Sequence, residues 1–241
     1  MKLNGKQYDK FILNGKTYEK FYLNNKIYQS LDHGLILDLP LQNNFTDYSA
    51  SGISMVAANA NGFPSFVSDG SGGFAVNFDG IRALKTATNL PINTSDKVSI
   101  VFDILTTLPT IQCVLELSPI ASTNNAFASF VSDQIPNRLE LADKTPANTT
   151  FNLVNSNADV NTGSWVKVCL QIDRSLGTAQ NKIYLNKVLS YTQDPAFIKD
   201  NNGNFGSYPL FIGGRNGTAF LMNAKFKNLK IYNYIISQSQ Y

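Results

Sequence analysis

From Leu35 onward, apolar residues recur at every second position in short runs separated by polar turns. Leu35, Leu37, Leu39 and Leu41 alternate, as do Val98, Ile100, Phe102 and Ile104. The spacing returns in Ile111, Cys113, Leu115 and Leu117, and in Val166, Val168, Leu170 and Ile172. Every second side chain of a strand lines one face, so each run reads as a half-buried strand. No convincing amphipathic helix interrupts the pattern. Between the runs lie Ser51-Gly52, Asn61-Gly62, Asp69-Gly70-Ser71-Gly72-Gly73, Asp79-Gly80, Gly203 and Gly213-Gly214, the residues tight turns require. Apolar spacing changes phase between Ala224/Phe226 and Leu229/Ile231, which predicts a β-bulge. The expected fold is all-β, two packed antiparallel sheets.

The first thirty residues follow a different rule. Leu-Asn-Gly-Lys-Gln-Tyr at 3–8, Leu-Asn-Gly-Lys-Thr-Tyr at 13–18 and Leu-Asn-Asn-Lys-Ile-Tyr at 23–28 repeat at a period of ten. Asn-Gly supplies the positive φ angles of a type I′ hairpin turn. Two-residue turns at Asn14-Gly15 and Asn24-Asn25 place Tyr18 opposite Phe11, Lys16 opposite Leu13, Glu19 opposite Lys10, Lys20 opposite Asp9 and Tyr28 opposite Phe21. Opposed aromatics and opposite charges each contribute roughly 0.2–1 kcal/mol, so the register is chemically consistent. The expectation is a small three-stranded meander over residues 1–31, ahead of a body at 32–241. A meander of this size is marginally stable alone. It needs the body, sister copies or another protein's sheet edge to dock on, with Tyr8, Phe11, Tyr18, Phe21 and Tyr28 as the anchoring aromatics.

Charge separates the same two parts. Residues 1–30 hold six lysines against Asp9 and Glu19, while the remainder holds 14 basic and 15 acidic side chains. Only 15% of the chain is charged, against roughly 25% in an average protein, and 28 asparagines help to supply surface polarity instead. Asp9 and Glu19 interrupt the lysines, which argues against nucleic acid as a partner. No run approaches the ~18 apolar residues of a membrane span. The opening Met1-Lys2-Leu3-Asn4-Gly5-Lys6 lacks the apolar core of a signal peptide, so cytoplasmic synthesis, or an export signal outside this sequence, is expected. Cys113 and Cys169 could bridge, but both sit in apolar runs and are read as reduced, buried thiols.

Leu35-Ile36-Leu37-Asp38-Leu39-Pro40-Leu41, followed by Asp47-Tyr48-Ser49-Ala50-Ser51-Gly52, resembles the opening strand and turn of laminin-G-like, concanavalin A-like jelly rolls. The likeness continues through Phe74–Gly80, Val98–Phe102, Ser164-Trp165-Val166-Lys167-Val168, Asp173 and Lys182-Ile183-Tyr184-Leu185-Asn186. Leu210-Phe211-Ile212-Gly213-Gly214-Arg215 and Phe226-Lys227-Asn228-Leu229-Lys230-Ile231-Tyr232-Asn233 complete it. Lys187 and Asn228 stand where the family usually has glycine. Asn186 and Asn228 tolerate left-handed backbone better than most residues, so the fold survives these departures. Trp165 is expected in the core.

The glucanases of this family carry E-x-D-x-x-E, and no such run exists here. Glu116 and Glu140 stand singly between apolar neighbours, the ordinary outward position of a strand, and His33 is the only histidine. The reading is therefore non-enzymatic. The resemblance implies a rim calcium site, for which Asp47, Asp69 and Asp79 lie in suitable turns. It also implies glycan binding, for which Tyr208, Arg215, Asn216, Asn202 and Asn204 form the best cluster. The repeat arm resembles small hairpin modules of bacteriophage virion and fibre proteins, which implies a structural or adhesion protein assembled inside a cell and acting outside it on the virion. On that reading the arm at 1–31 anchors to other virion proteins or sister copies, and the jelly roll decorates the surface or binds host glycan. The alternative is a bacterial carbohydrate-binding module or surface adhesin.

Overall fold

The computed structural model describes residues 34–118, 124–145, 151–193 and 200–241, together with the backbone of six short strands before residue 29. Those six are β1 (Lys2–Leu3), β2 (Lys6–Gln7), β3 (Phe11–Leu13), β4 (Lys16–Tyr18), β5 (Phe21–Leu23) and β6 (Lys26–Tyr28). They pair as β1 with β2, β3 with β4 and β5 with β6, so the arm is three separate hairpins rather than one meander. Each ten-residue repeat pairs its own two strands, including the first, where Leu3 is opposite Lys6. The register is the one the turns dictate: Phe11 opposite Tyr18, Leu13 opposite Lys16, and Phe21 opposite Tyr28. The pairs at residues 9–10 and 19–20, the side chains of these aromatics, Tyr8 and His33 lie outside the described residues.

The body begins with β7 (Leu35–Leu39), β8 (Met55–Ala57), β9 (Ser65–Ser68), β10 (Phe74–Asp79), β11 (Leu84–Thr86) and β12 (Lys97–Leu105). It continues with β13 (Gln112–Leu117), β14 (Ala126–Val131), β15 (Arg138–Lys144), β16 (Asn152–Asp159) and β17 (Val166–Asp173). The last strands are β18 (Asn181–Leu185), β19 (Val188–Leu189), β20 (Thr192–Gln193), β21 (Leu210–Ile212) and β22 (Asn223–Tyr232). One sheet runs β19-β18-β17-β12-β22-β10-β9, with β7 also pairing with β22. The other runs β20-β16-β15-β14-β13-β21-β11-β8. This is the antiparallel two-sheet jelly-roll sandwich the alternation predicts. Among the described residues no helix is long and apolar enough to cross a membrane.

The core lies between the sheets and is led by Phe78, Phe102, Phe127 and Phe226, all fully buried. Phe226 stacks on Phe102 at 5.1 Å and meets Phe78 edge-on at 6.2 Å. The predicted bulge is present. Val101 pairs with Lys230 and Asp103 with Lys227, so two residues of β22 oppose the single Phe102. Asn228 occupies the extra position at φ 57° and donates from its side chain to Asp103. The Asn186-Lys187 turn also closes with both residues left-handed, at φ 49° and 68°. A lysine thus takes the conformation for which the family uses glycine.

Two assignments change. A second bulge between Cys113 and Leu115 shifts the phase of β13, so Leu115 and Leu117 join the core while Cys113 packs with Ala128 and Phe130 on the outer face of the second sheet. Cys169 lies with Val101, Tyr232 and Ile236 on the outer face of the first sheet. Both thiols are free and buried, and their places on opposite outer faces explain why they do not bridge. Trp165 is half-buried and outside the core, immediately before β17. Its indole N–H donates to the Asp69 carbonyl at 2.9 Å, and the Lys227 ammonium lies 4.5 Å from its ring centre.

Candidate glycan site on the outer face of the second sheet

In a sheet, directly opposed residues share a face. Lys85, Phe211, Glu116, Ala128 and Ala142 are opposed across β11, β21, β13, β14 and β15. One step along, Cys113, Phe130, Glu140 and Asn155 form a second row. The inner faces of these strands supply core residues such as Leu117, Leu141 and Val154, so both rows face outward.

After β21 the chain turns at Gly213 and Gly214 and folds back over this outer face. Arg215 and Ala219 exchange backbone hydrogen bonds of 2.8 and 3.1 Å, which closes a short tip. Gly217 anchors the tip sideways, its carbonyl accepting from the Asn59 side chain at 2.8 Å. Beneath the tip, Glu116 Oε1 accepts from Arg215 Nε at 3.2 Å and Oε2 accepts from the Asn216 backbone N–H at 2.9 Å. The Glu116 side chain is only 3% exposed. Burial pushes its carboxyl upward, and the Asn216 N–H and the Arg215 charge oppose that shift. The Arg215 guanidinium lies 5.7 Å from the Phe130 ring centre, and Phe130 meets Phe220 edge-on at 6.1 Å. Phe220 remains 43% exposed.

The tip therefore presents a clamped guanidinium, an exposed asparagine and an exposed aromatic ring. One of the five guanidinium N–H groups is committed to Glu116. An amide, a guanidinium and an aromatic face together can hydrogen-bond sugar hydroxyls and stack on the apolar face of a pyranose.

Of the five residues expected to form this site, only Arg215 and Asn216 come together here. Asn202 and Asn204 flank Gly203, whose carbonyl accepts from the buried Arg174 at 3.0 Å. That segment bridges the two sheets: Phe205 N–H donates to Ser95, before β12, and Gly206 N–H donates to Asn125, before β14. The Tyr208 backbone carbonyl accepts from Leu90, and its ring packs over Gly206 and against the core. Glu116, Phe130 and Phe220 escaped sequence reasoning. The alternation around Glu116 marks only an outward strand position, and its partner Arg215 lies 99 residues away.

The three calcium candidates do not fit a metal, because protein donors already engage each carboxylate in a separate turn. Asp47 accepts from the backbone N–H groups of Asp38, Ser49 and Ile53 at 2.7–2.9 Å and so ties its turn to β7. Asp69 accepts from Lys227 Nζ at 2.6 Å and from Ser71 and Gly73 N–H, which hold its carboxyl well below the usual range. Asp79 pairs with Arg82 and accepts from the Ile81 and Arg82 N–H groups. These aspartates staple turns. The glucanase comparison also gains geometry. Glu116 and Glu140 stand on β13 and β15 with β14 between them and one register step apart, which separates their backbones by roughly 12 Å. Glu116 is moreover committed to Arg215.

The fold is a lectin-type jelly roll. The chain belongs to the concanavalin A-like lectin/glucanases superfamily, whose Laminin_G_3 model matches residues 104–240. No curated protein sequence matches it. Among solved structures, domain 4 of AbnA, a GH43 extracellular arabinanase from Geobacillus stearothermophilus in complex with arabinotriose, is 17% identical with a TM-score of 0.60, over 86% of this chain and 96% of that one. The binding domain of Paraclostridial Mosquitocidal Protein 1 is 13% identical with a TM-score of 0.59, over 86% of this chain and 50% of that one. The botulinum neurotoxin serotype D ligand binding domain in complex with N-acetylneuraminic acid is 14% identical with a TM-score of 0.59, over 87% and 50%. The chain thus spans about half the length of these toxin domains, and at such identities the likeness establishes the fold.

Proposed function

We propose that this protein is a non-enzymatic bacteriophage virion protein whose repeat arm anchors it to the particle or to sister copies, and whose jelly roll binds host glycan. The tip at 215–220 carries the glycan reading: buried Glu116 fixes Arg215 and Asn216 beside exposed Phe220, a recognition surface ordered before any ligand arrives. The arabinotriose and N-acetylneuraminic acid complexes of the fold's neighbours support the same reading.

A glycan array with the full chain is the direct test. Phe220→Ala removes the stacking face, and Asn216→Gly removes the amide while keeping the left-handed backbone at φ 50°. Each is expected to weaken binding about tenfold or more, the equivalent of ~1.4 kcal/mol. Array binding that both variants retain in full would move the site elsewhere on the domain.

Three hairpins of repeated sequence carry the anchoring reading. Deleting residues 1–30 should leave a folded body by circular dichroism but reduce the oligomer size seen in light scattering, or abolish incorporation into particles. Unchanged assembly would overturn the anchoring role. A bacterial carbohydrate-binding module is the second reading, favoured by the 96% coverage of the arabinanase domain. Neighbouring genes for capsid and tail proteins, or for polysaccharide-degrading enzymes, separate the two.

A further inference from the structure

Arg215 is held by its inner nitrogen alone. Nε donates to Glu116 Oε1 at 3.2 Å and the guanidinium lies 5.7 Å from the Phe130 ring centre, while the two Nη groups meet no protein acceptor among the described residues. Four of its five N–H donors are therefore unspent, and the side chain is 23% exposed. Glu116 does not take them up. Its Oε1 is engaged by Arg215 and its Oε2 by the Asn216 N–H, and it lies buried beneath the tip. A second cation rises from the same row of the sheet. Half-buried Lys85 is opposed to Phe211, which is opposed to Glu116, and its ammonium lies 5.9 Å from the Phe211 ring centre with no acidic partner among the described residues. Glu140, opposite Phe130, adds no fixed negative charge: burial and the Asp133 charge push its carboxyl up to about 8, so it holds a proton at neutral pH. The tip and its margin thus carry more donors than acceptors, the guanidinium N–H groups and an ammonium against the Asn216 amide oxygen and the exposed Thr218 hydroxyl.

We infer that the tip selects a carboxylate-bearing sugar, a uronic or nonulosonic acid, whose carboxylate is held by Arg215 Nη1 and Nη2 while its ring rests on Phe220. This rests on the glycan reading of the tip and narrows it to the acidic class. A sugar hydroxyl both donates and accepts, whereas a carboxylate only accepts, so it is the group that uses a surplus of donors. The planar guanidinium fork matches the two carboxylate oxygens, and such charge-assisted bonds are roughly twice as strong as neutral ones. Glu116 orients the fork through Nε and leaves its outer edge open. It cancels one positive charge, and Lys85 leaves two cations against that single carboxylate.

Ligand-observed NMR titrations of the full chain test this with two acids and their neutral counterparts: trigalacturonic acid against its fully methylated ester, and 3′-sialyllactose against lactose. At least one acid is expected to bind about tenfold more tightly than its counterpart, and which one does so separates uronic from nonulosonic recognition. Arg215→Lys keeps the charge but loses the fork, and should erase most of that preference. The ratio of acid to neutral binding is read on the parent chain, so it stands whether or not the variant folds. Equal binding of each acid and its counterpart, or array hits confined to neutral glycans, overturns the acidic class and leaves the glycan reading intact. A preference undiminished in Arg215→Lys removes the fork as its source. No binding to any glycan, on the array or in solution, overturns both readings.

Discussion

Replacing Arg174 with methionine should destabilise the fold by roughly 3–5 kcal/mol, the usual cost of leaving one member of a buried ion pair alone. Arg174 directly follows β17 of the first sheet, and Asp143 belongs to β15 of the second, so the pair joins the two layers. Both side chains are 0% exposed, with Arg174 Nη2 donating to Asp143 Oδ1 at 2.7 Å. Arg174 also donates to the Gly203 carbonyl and lies 4.0 Å over the Phe205 ring, while the Asn201 side chain donates to Asp143. Removing the guanidinium therefore strands a carboxylate between the sheets and frees the 201–205 segment. Urea unfolding at pH 7 measures the loss. The double variant Arg174→Met/Asp143→Leu should recover most of it, because no uncompensated charge remains. A single variant within about 1 kcal/mol of the parent would contradict the pair's structural role.

Gly213→Ala is expected to be nearly as damaging, at about 2–4 kcal/mol, from a left-handed backbone combined with overpacking. Gly213 sits at φ 79°, and a Cβ there would lie 2.4 Å from two atoms of the Phe78 ring. Phe78 is fully buried and cannot yield without disturbing its edge-on partner Phe226. Gly213 also donates to the Val114 carbonyl and accepts from Met222 N–H, both at 2.9 Å, so it positions the start of the 215–220 tip. Gly214→Ala is the control. Its Cβ would meet chiefly the movable end of Leu221, at 2.7 Å, and its φ is ordinary. Thermal melts should show Gly213→Ala falling by roughly 4–16 °C, at about 2–4 °C per kcal/mol for a domain of this size, and Gly214→Ala falling much less. Equal losses in both would refute the ring contact as the reason for glycine at 213.

Much of this architecture could be read from single positions and their near neighbours. Alternation at Val98–Ile104 and Val166–Ile172 located strands that pair in the register Val98 to Ile172 and Ile104 to Val166. The phase change near Asn228 marked a bulge, and the Asn-Gly repeats set hairpin register. Where the alternation misled, at Cys113, a bulge had no local signature because Val114 and Leu115 are both apolar. Trp165 was expected in the core, yet a cation above the ring and a carbonyl at the indole hold it at the edge of the sandwich.

Candidate function was legible only in part. Arg215 and Asn216 were visible because they flank a Gly-Gly turn, but the carboxylate that clamps them looked like any outward strand residue. Asn202, Asn204 and Tyr208 shared a stretch of sequence with one another, yet that stretch bridges the sheets. The turn aspartates looked like calcium ligands until their donors were placed.

By itself the sequence determined the all-β class, the turn positions and the strand register within the repeats, since alternation, left-handed asparagines and glycines act within ten residues. Only the tertiary structure decided which face each strand shows at a bulge, that Glu116 meets Arg215 across 99 residues, and that Arg174 meets Asp143 between the sheets. Those outcomes depend on strand order and burial, which place distant side chains together and remove the water that would otherwise satisfy each of them alone.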